Sequence, residues 1–532
     1  MQRLRVLPAG VSLTPMHGGK SASRFPGVWM VGDFPMMAAL MVFGVVVTFI
    51  SVPILKEFAL KHSVVSRPGG RRTHNEPVPL LGGVAIFLPV GLVFLGLMGL
   101  WLSGRLRFGH PDLSQMMTLF LGVTFILVLG TVDDVTPVRW WKKLVGQFSA
   151  AGILVIGGHS ISVATLPFFG VTDFGWTGIP LFMIAVVAVT NAINLVDGID
   201  GLAGGICFFA ALTSGILGLA KGDLFAATIG FTVSGSLLGF LFYNFPPASI
   251  FMGDGGSMMI GFLLGALATS SAAVSPGQRL GTSAMILIPF LPFGIPLFEV
   301  ILSIVRRWLR GQAIFLGDGD HLHYRVTGVV KNPRLTVGIF YLFTTLLCAL
   351  TLFLVLRLNS DLVRLLMVVM ALVVFAGLIA SIRLYRVESL FITLRNRPHF
   401  TFLGSYLWFM KHKVIRAGSL GELIGLLESG VTDLSLDCVE VLYDEHVLRK
   451  WNSADPVHPG NERVSEEARF DGGRLVVKWQ RPEHEDQAYN EYLRLTWHRF
   501  LNTIGPAMED RVGELSGTEE SKAYGVCEKA SS

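Results

Sequence analysis

Residues 190–205 read TNAINLVDGIDGLAGG, with LFMIAVVAV before them and ICFFAALTSGILGLA after. Two amides, Asn191 and Asn194, and two carboxylates, Asp197 and Asp200, thus stand between segments built for lipid. Ionisable groups are costly inside a bilayer, so such a cluster marks either the edge of a span or a working site. Gly198, Gly201, Gly204 and Gly205 allow a neighbouring backbone or a ligand to come close. Helix packing accounts for those glycines but not for four polar side chains at the boundary of an apolar run.

Outward from this stretch the chain keeps the same character. It has 532 residues, 52% hydrophobic and 15% charged, with a mean hydropathy of +0.58. Soluble proteins carry roughly 25% charged residues. A spanning helix needs ~20 mostly apolar residues. Such runs fall near 34–56, 80–102, 115–132, 144–158, 178–195, 203–219, 224–242, 253–270, 282–305, 335–357 and 362–384. Lipid offers the backbone no hydrogen-bond partners, so these eleven runs predict an all-α polytopic membrane protein. The net charge of +5 is too mild to argue for nucleic acid, and no nucleic-acid partner is expected. The four cysteines, Cys207, Cys348, Cys438 and Cys527, lie far apart without metal-ligand spacing, and no structural disulfide is expected.

Basic residues orient the spans. If the first run enters from outside, the inner loops hold Lys61, Arg67, Arg71, Arg72, Arg139, Lys142, Lys143, Arg306, Arg307, Arg310, Arg325, Lys331 and Arg334. The outer loops hold Arg105, Arg107, Lys221, Arg279 and Arg357. This bias places the polar clusters and the tail in the cytoplasm. Residues 1–33, basic and rich in Gly, Pro and Ser, read as a disordered leader; residues 34–385 read as the membrane domain. From 386 to 532 charge returns, and a small cytoplasmic α+β domain is expected, a regulatory or docking appendage. Within it LGELIGLLES and NEYLRLTWHRFLNTIG read as helices, DCVEVLYD and GRLVVKWQR as strands.

Four further clusters share the cytoplasmic side with the first. Asp133 and Asp134 close the third run, and adjacent acids at a helix C-terminus are unfavourable unless a cation or protons offset them. FYNFPPASIFMGDGGSMMIG places Asn244, Phe251 and Asp254 around a Pro-Pro break. Asp254 reads either as an N-cap or as a site acid, and its glycine-rich helix start as a phosphate receptor. RRWLRGQAIFLGDGDHLHYRV holds Arg306, His321 and His323, and SRPGGRRTHNEPVPLLGG holds Arg72 and His74. Carboxylates and amides suit a hard cation, whereas basic residues and histidines suit phosphates. A bilayer edge needs both where an anionic soluble substrate meets an anionic lipid, because the two repel and the site must supply compensating charge.

At these residues the chain resembles the polyprenyl-phosphate N-acetylhexosamine-1-phosphate transferases, bacterial membrane enzymes of the glycosyltransferase family 4 type. The resemblance spans roughly 34–385. It rests on RPxxRxxH with PVPxxGG, the DD pair followed by KLxGQ, NAxNxxDGxDGL, an altered YNxxPAxxFMGDxGS, and a late D-x-x-H-L-H, in the family's order. It implies transfer of GlcNAc-1-phosphate from UDP-GlcNAc to undecaprenyl phosphate, which primes cell-surface polysaccharide synthesis. The partners implied are undecaprenyl phosphate, a UDP-N-acetylhexosamine and membrane lipid. The location implied is the bacterial inner membrane, with a homodimer left open as the assembly.

By resemblance, Asp254, Asp197 and Asp133 would hold Mg²⁺, for which Mn²⁺ is an expected substitute. Asp133, Asp134, Asp254, His321 and His323 would carry the chemistry. Asn194, Asp197 and Asp200 would line the nucleotide-sugar pocket, Phe251 would stack on uracil with Asn244 bonding nearby, and Arg72, His74, Lys143 and Arg306 would contact anions. The chain departs from the family pattern with Ser66 before the RP pair, Glu299 where many members have Asp, and Tyr324 where the last His of the late loop stands. Two alternatives stay open. One is the same reaction with another UDP-N-acetylhexosamine or UDP-MurNAc-pentapeptide. The other is a transporter, which predicts acids near mid-span and an internal repeat.

Overall fold

The structure is a computed structural model. It describes residues 29–66, 77–105, 112–166, 170–272, 288–309, 321–356 and 397–419, four strands between 438 and 482, and a few scattered single positions. The membrane part is a bundle of helices: α1 (Trp29–Lys61), α2 (Gly82–Leu102), α3 (Leu113–Val135), α4 (Trp140–Ile156), α5 (Gly178–Val196), α6 (Leu202–Lys221), α7 (Leu224–Asn244), α8 (Gly253–Ala272), α9 (Gly294–Leu309), α10 (Leu322–Val330) and α11 (Pro333–Leu356). Each predicted run up to residue 357 falls on helix where it is described, the run 282–305 from residue 288 onward, whereas 362–384 lies outside the described residues apart from Val369. Among the described residues, eight helical segments are long and apolar enough to cross a membrane. α4 is short at 17 residues, and α8 opens on the polar turn GDGGS. α1 begins at Trp29, five residues ahead of the predicted boundary.

α8 is the axis of the bundle. Every residue from Gly255 to Thr269 is buried, and α8 packs against α2, α3, α5 and α6. A helix enclosed on all sides meets protein rather than lipid, so it needs small residues more than apolar ones. α7 is similarly enclosed, with 83% of its span buried against 17% for α1, so α1 lies at the lipid-facing rim. The core joins Phe94, Phe182, Phe240 and Phe262 from four helices. Buried hydroxyls such as those of Thr190, Thr232 and Thr269 are satisfied by carbonyls one turn back in their own helices.

Two small antiparallel pairs decorate the loops: β1 (Val65–Ser66) with β2 (Val78–Pro79), and β3 (Val163–Leu166) with β4 (Gly170–Asp173). In the tail, helix α12 (Arg397–Arg416) precedes four antiparallel strands, β5 (Cys438–Tyr443), β6 (His446–Asn452), β7 (Arg463–Phe470) and β8 (Leu475–Pro482), in the order β6-β5-β8-β7. The two predicted strands are β5 and β8, the central pair. The predicted helix NEYLRLTWHRFLNTIG lies almost wholly outside the described residues, and LGELIGLLES is described only in part.

Candidate active site

The site forms where the ends of α3, α5 and α8 meet. Asp134, in the last turn of α3, accepts the backbone N–H groups of Asp254 at 2.8 Å and Gly255 at 3.1 Å. The first N–H groups of a helix have no partner within it, and its N-terminus carries partial positive charge. Asp134 therefore caps α8 from another helix. This resolves the two readings of Asp254: it is not the cap, and its carboxylate is left for the site. It also corrects the expectation that this helix start receives phosphate, because two of its N–H groups are already taken by Asp134. Gly253, at φ +73°, turns the chain into α8, and a Cβ there would collide with the Asp134 carboxylate. Only glycine fits both demands.

Asp133 points the other way. It accepts the backbone N–H of Val138 at 2.6 Å and the Lys143 ammonium at 2.8 Å. Lys143, in the first turn of α4, also donates to Asp254 at 3.1 Å and so bridges the two carboxylates. Asn194, in the last turn of α5, donates to Asp254 at 3.1 Å and to Ser257 at 3.0 Å. Behind them Gln147 and Asn191 exchange amide hydrogen bonds of 2.6 and 3.3 Å, tying α4 to α5. Gln147 stands within the KLxGQ motif, but the sequence gives it no role; its buried polar side chain is the signal that it needs a partner.

The opening stretch supplies the next layer. Asp197, just past α5, has its pKa pushed well above the usual carboxylate range, first by burial and then by the charges of Asp254, Asp134 and Asp200. Asp200 accepts the N–H of Ala248 at 2.8 Å. Asn244 accepts the N–H of Gly201 at 3.0 Å and donates to the carbonyl of Ile250 at 2.9 Å, so its amide fixes two loops. Phe251 is half-buried; its N–H donates to Pro79 at 2.8 Å and its carbonyl accepts from Gly82 at 3.0 Å. The PVPLLGG and FMGDG segments, far apart in sequence, are thereby laced together.

The histidines close the site from α10. His321 Nδ1 lies 3.2 Å from Glu299 Oε1, which also accepts the N–H of Leu322 at 2.8 Å. His323 is 2% exposed, and neither ring nitrogen has a hydrogen-bond partner. Burial and the neighbouring His321 push its pKa down to about 3, so the ring is neutral. It stacks on His321 at 5.4 Å and faces Gly198, next to Asp197. Tyr324, in the place of the family's third His, donates to the Gly198 carbonyl at 3.2 Å. Arg306, in the last turn of α9, is buried and bonded to Ser303. Arg72 and His74 lie outside the described residues.

Among the described residues, no group of three His, Cys, Asp or Glu side chains is already arranged around a metal position. The donor chemistry nonetheless fits a hard cation. The Asp254 charge acts on Asp133, Asp134 and Asp197, and an ammonium already bridges Asp254 and Asp133.

Residues 116–272 match the family model described as Glycosyl transferase family 4. A Bacillus subtilis protein named probable undecaprenyl-phosphate N-acetylglucosaminyl 1-phosphate transferase is 33% identical over 294 residues, 55% of this chain and 78% of the relative. The decaprenyl-phosphate N-acetylglucosaminephosphotransferase of Mycobacterium leprae is 32% identical over 322 residues, 56% of this chain and 78% of the relative. A phospho-N-acetylmuramoyl-pentapeptide-transferase of Halalkalibacterium halodurans is 30% identical over 298 residues, 53% and 86% of the two chains.

Proposed function

We infer the function from family and site together: the chain belongs to the polyprenyl-phosphate N-acetylhexosamine-1-phosphate transferases, and it moves GlcNAc-1-phosphate from UDP-GlcNAc onto undecaprenyl phosphate. The lipid phosphate oxygen bonds to the β-phosphorus, the bond to the α-phosphate bridging oxygen breaks, and UMP leaves. The observation that carries this reading is the meeting of Lys143 and Asn194 on Asp254 at the start of α8, with Asp133 on the same ammonium.

Phosphoryl transfer depends on positioning and charge neutralisation more than on covalent work by the protein. A phosphate monoester is largely dianionic at neutral pH, so no strong base is required. Lys143 offers the positive charge on which an incoming phosphate exchanges with Asp133 or Asp254. Asp134 holds the first turn of α8 so that the Asp254 carboxylate keeps its place. His323, neutral and with both nitrogens unbonded, is a donor or acceptor for the sugar phosphate, and Phe251 offers a face for uracil. Asp254, Asp133 and Asp197 would hold Mg²⁺, which supplies charge neutralisation between the two phosphates when bound.

The reaction belongs at the cytoplasmic face of the bacterial inner membrane, as the inner-loop basic residues support. The acids stand at helix ends, against the mid-span acids that a transporter requires. UDP-MurNAc-pentapeptide is the second donor reading, which the Halalkalibacterium relative favours. Purified protein with undecaprenyl phosphate, Mg²⁺ and a panel of UDP-sugars decides between them: UMP release is expected with UDP-GlcNAc and is lost in Asp254→Asn at every Mg²⁺ level. Release with the muramoyl donor alone overturns the sugar assignment, and an active Asp254→Asn removes Asp254 from the site.

A further inference from the structure

Helix α12 has two distinct faces. Leu407, Met410, Val414 and Ala417 are buried, and their 3-4-3 spacing makes one buried stripe along the helix. The opposite side exposes large apolar groups: Trp408 is 64% exposed, Phe409 50% and Ile415 51%. Basic residues follow them along the same side. Trp408, Lys411, His412 and Ile415 form one row, and Phe409, Lys413 and Arg416 form the next. The Lys413 ammonium lies over the Phe409 ring at 4.7 Å, and the Trp408 and His412 rings are in tilted contact, their centroids 4.1 Å apart.

We propose that this face of α12 docks on the anionic headgroups of the bilayer that the chain spans. Aromatic rings with adjacent lysines and arginines are the chemistry of the membrane interface, where the ring sits among headgroups and the cation meets lipid phosphate. The chain repeats that combination at the start of α4, where Trp140 and Trp141 are exposed and Lys142 lies 5.7 Å from the Trp141 ring. That helix leads directly into the active site at Lys143. The predicted last span ends at 384, thirteen residues before α12 begins, a link of at most ~45 Å. The tether keeps α12 within reach of the membrane surface, and docking would hold the tail beside the cytoplasmic mouth of the site.

The test uses the full-length chain in nanodiscs of phosphatidylethanolamine with phosphatidylglycerol, and of phosphatidylcholine alone. Phe409 is replaced by p-benzoylphenylalanine and irradiated. The expected products are adducts carrying one phospholipid, formed in the anionic discs. Each basic residue near an anionic surface is worth about fivefold in binding, so Lys411→Gln with Lys413→Gln and Arg416→Gln should cut the adduct at least ~tenfold. As a second reading, brominated lipids should quench the wild type more than Trp408→Phe. Crosslinks only to this chain or to another protein overturn the proposal, as does equal adduct in neutral discs or in the triple variant.

Discussion

Lys143 gives the sharpest test of the site, because one ammonium holds two carboxylates at 2.8 and 3.1 Å. Lys143→Met keeps the stem and removes the charge. At ~3 Å an ammonium–carboxylate attraction amounts to ~1.4 kcal/mol in bulk water and ~5.5 kcal/mol at an effective dielectric constant of 20. The Lys143 side chain, common to both pairs, is 24% exposed, with Asp254 at 34% and Asp133 at 8%; water at the shared ammonium screens both attractions, which are taken near the lower end, about 1.5 kcal/mol each. Two such attractions, about 3 kcal/mol together, compete with any cation for the same oxygens. Part of that returns as hydration of the freed carboxylates, leaving about tenfold. Mn²⁺ binding, followed by electron paramagnetic resonance without substrates, should therefore tighten about tenfold in Lys143→Met. UMP release should fall ~10²–10³-fold, the usual cost of removing one stabiliser of developing phosphate charge. Lys143→Arg keeps the charge and should lie between. Weaker Mn²⁺ binding in Lys143→Met would refute the placing of the cation among these carboxylates. UMP release within threefold of wild type would remove the ammonium from the machinery.

Asp134→Ala orphans the backbone N–H groups of Asp254 and Gly255 and should lower stability by ~2 kcal/mol, read as the thermal midpoint in detergent; an unchanged midpoint would show that α8 needs no cap from α3. The pH dependence of stability should carry the mark of His323, whose pKa is held at about 3 against ~6.5 in an unfolded chain. Its contribution is present above pH ~6.5 and lost as pH falls towards 3, because the unfolded chain takes up a proton that the folded ring refuses. His323→Gln should thus lose less of its thermal midpoint than wild type between pH 7 and pH 4.5, and parallel curves for the two proteins would contradict this.

Much of the frame is legible locally. The run predicted at 178–195 is α5, Gly178–Val196, because a span must be long and apolar and both properties lie in one window of sequence. The five polar clusters are visible for the converse reason: charge is costly where they stand. Other features escape a local reading. α10 lies inside what reads as a basic loop, since nine residues of LHYRVTGVV carry too little apolar periodicity to announce a helix. β6 and β7 are the edges of the tail sheet, and edge strands carry charge, as Arg449, Lys450, Glu466 and Glu467 do, which hides them from an alternation rule. The role of Asp134 is the plainest case. Its partners are 120 and 121 residues away, so the sequence shows an unfavourable acid at one helix end and only the fold reveals the helix start that it caps.

That long-range cap raises the question of what sets the precision of the site, because lipid supplies little force to press helices together. The answer lies in the glycines beside each acid. A Cβ on Gly83 of α2 would collide with Gly256, and one on Gly130 of α3 would come within 2.5 Å of the Gly255 Cα and 2.6 Å of the Asp254 carbonyl carbon. The first turn of α8 is therefore clasped by α2 and α3 with backbones in direct contact. The N–H groups of Gly82 and Gly83 reinforce the clasp by donating to the carbonyls of Phe251 and Met252 at 3.0 and 2.9 Å. Asp254 inherits its position from main chain packed on main chain, not from the reach of flexible side chains. Buried backbone contacts cannot slide by fractions of a helical turn without breaking hydrogen bonds that lipid will not replace. The same feature that lets the bundle assemble in lipid thus fixes the separation of Asp133, Asp254 and Lys143, and a site that joins two phosphates depends on that separation.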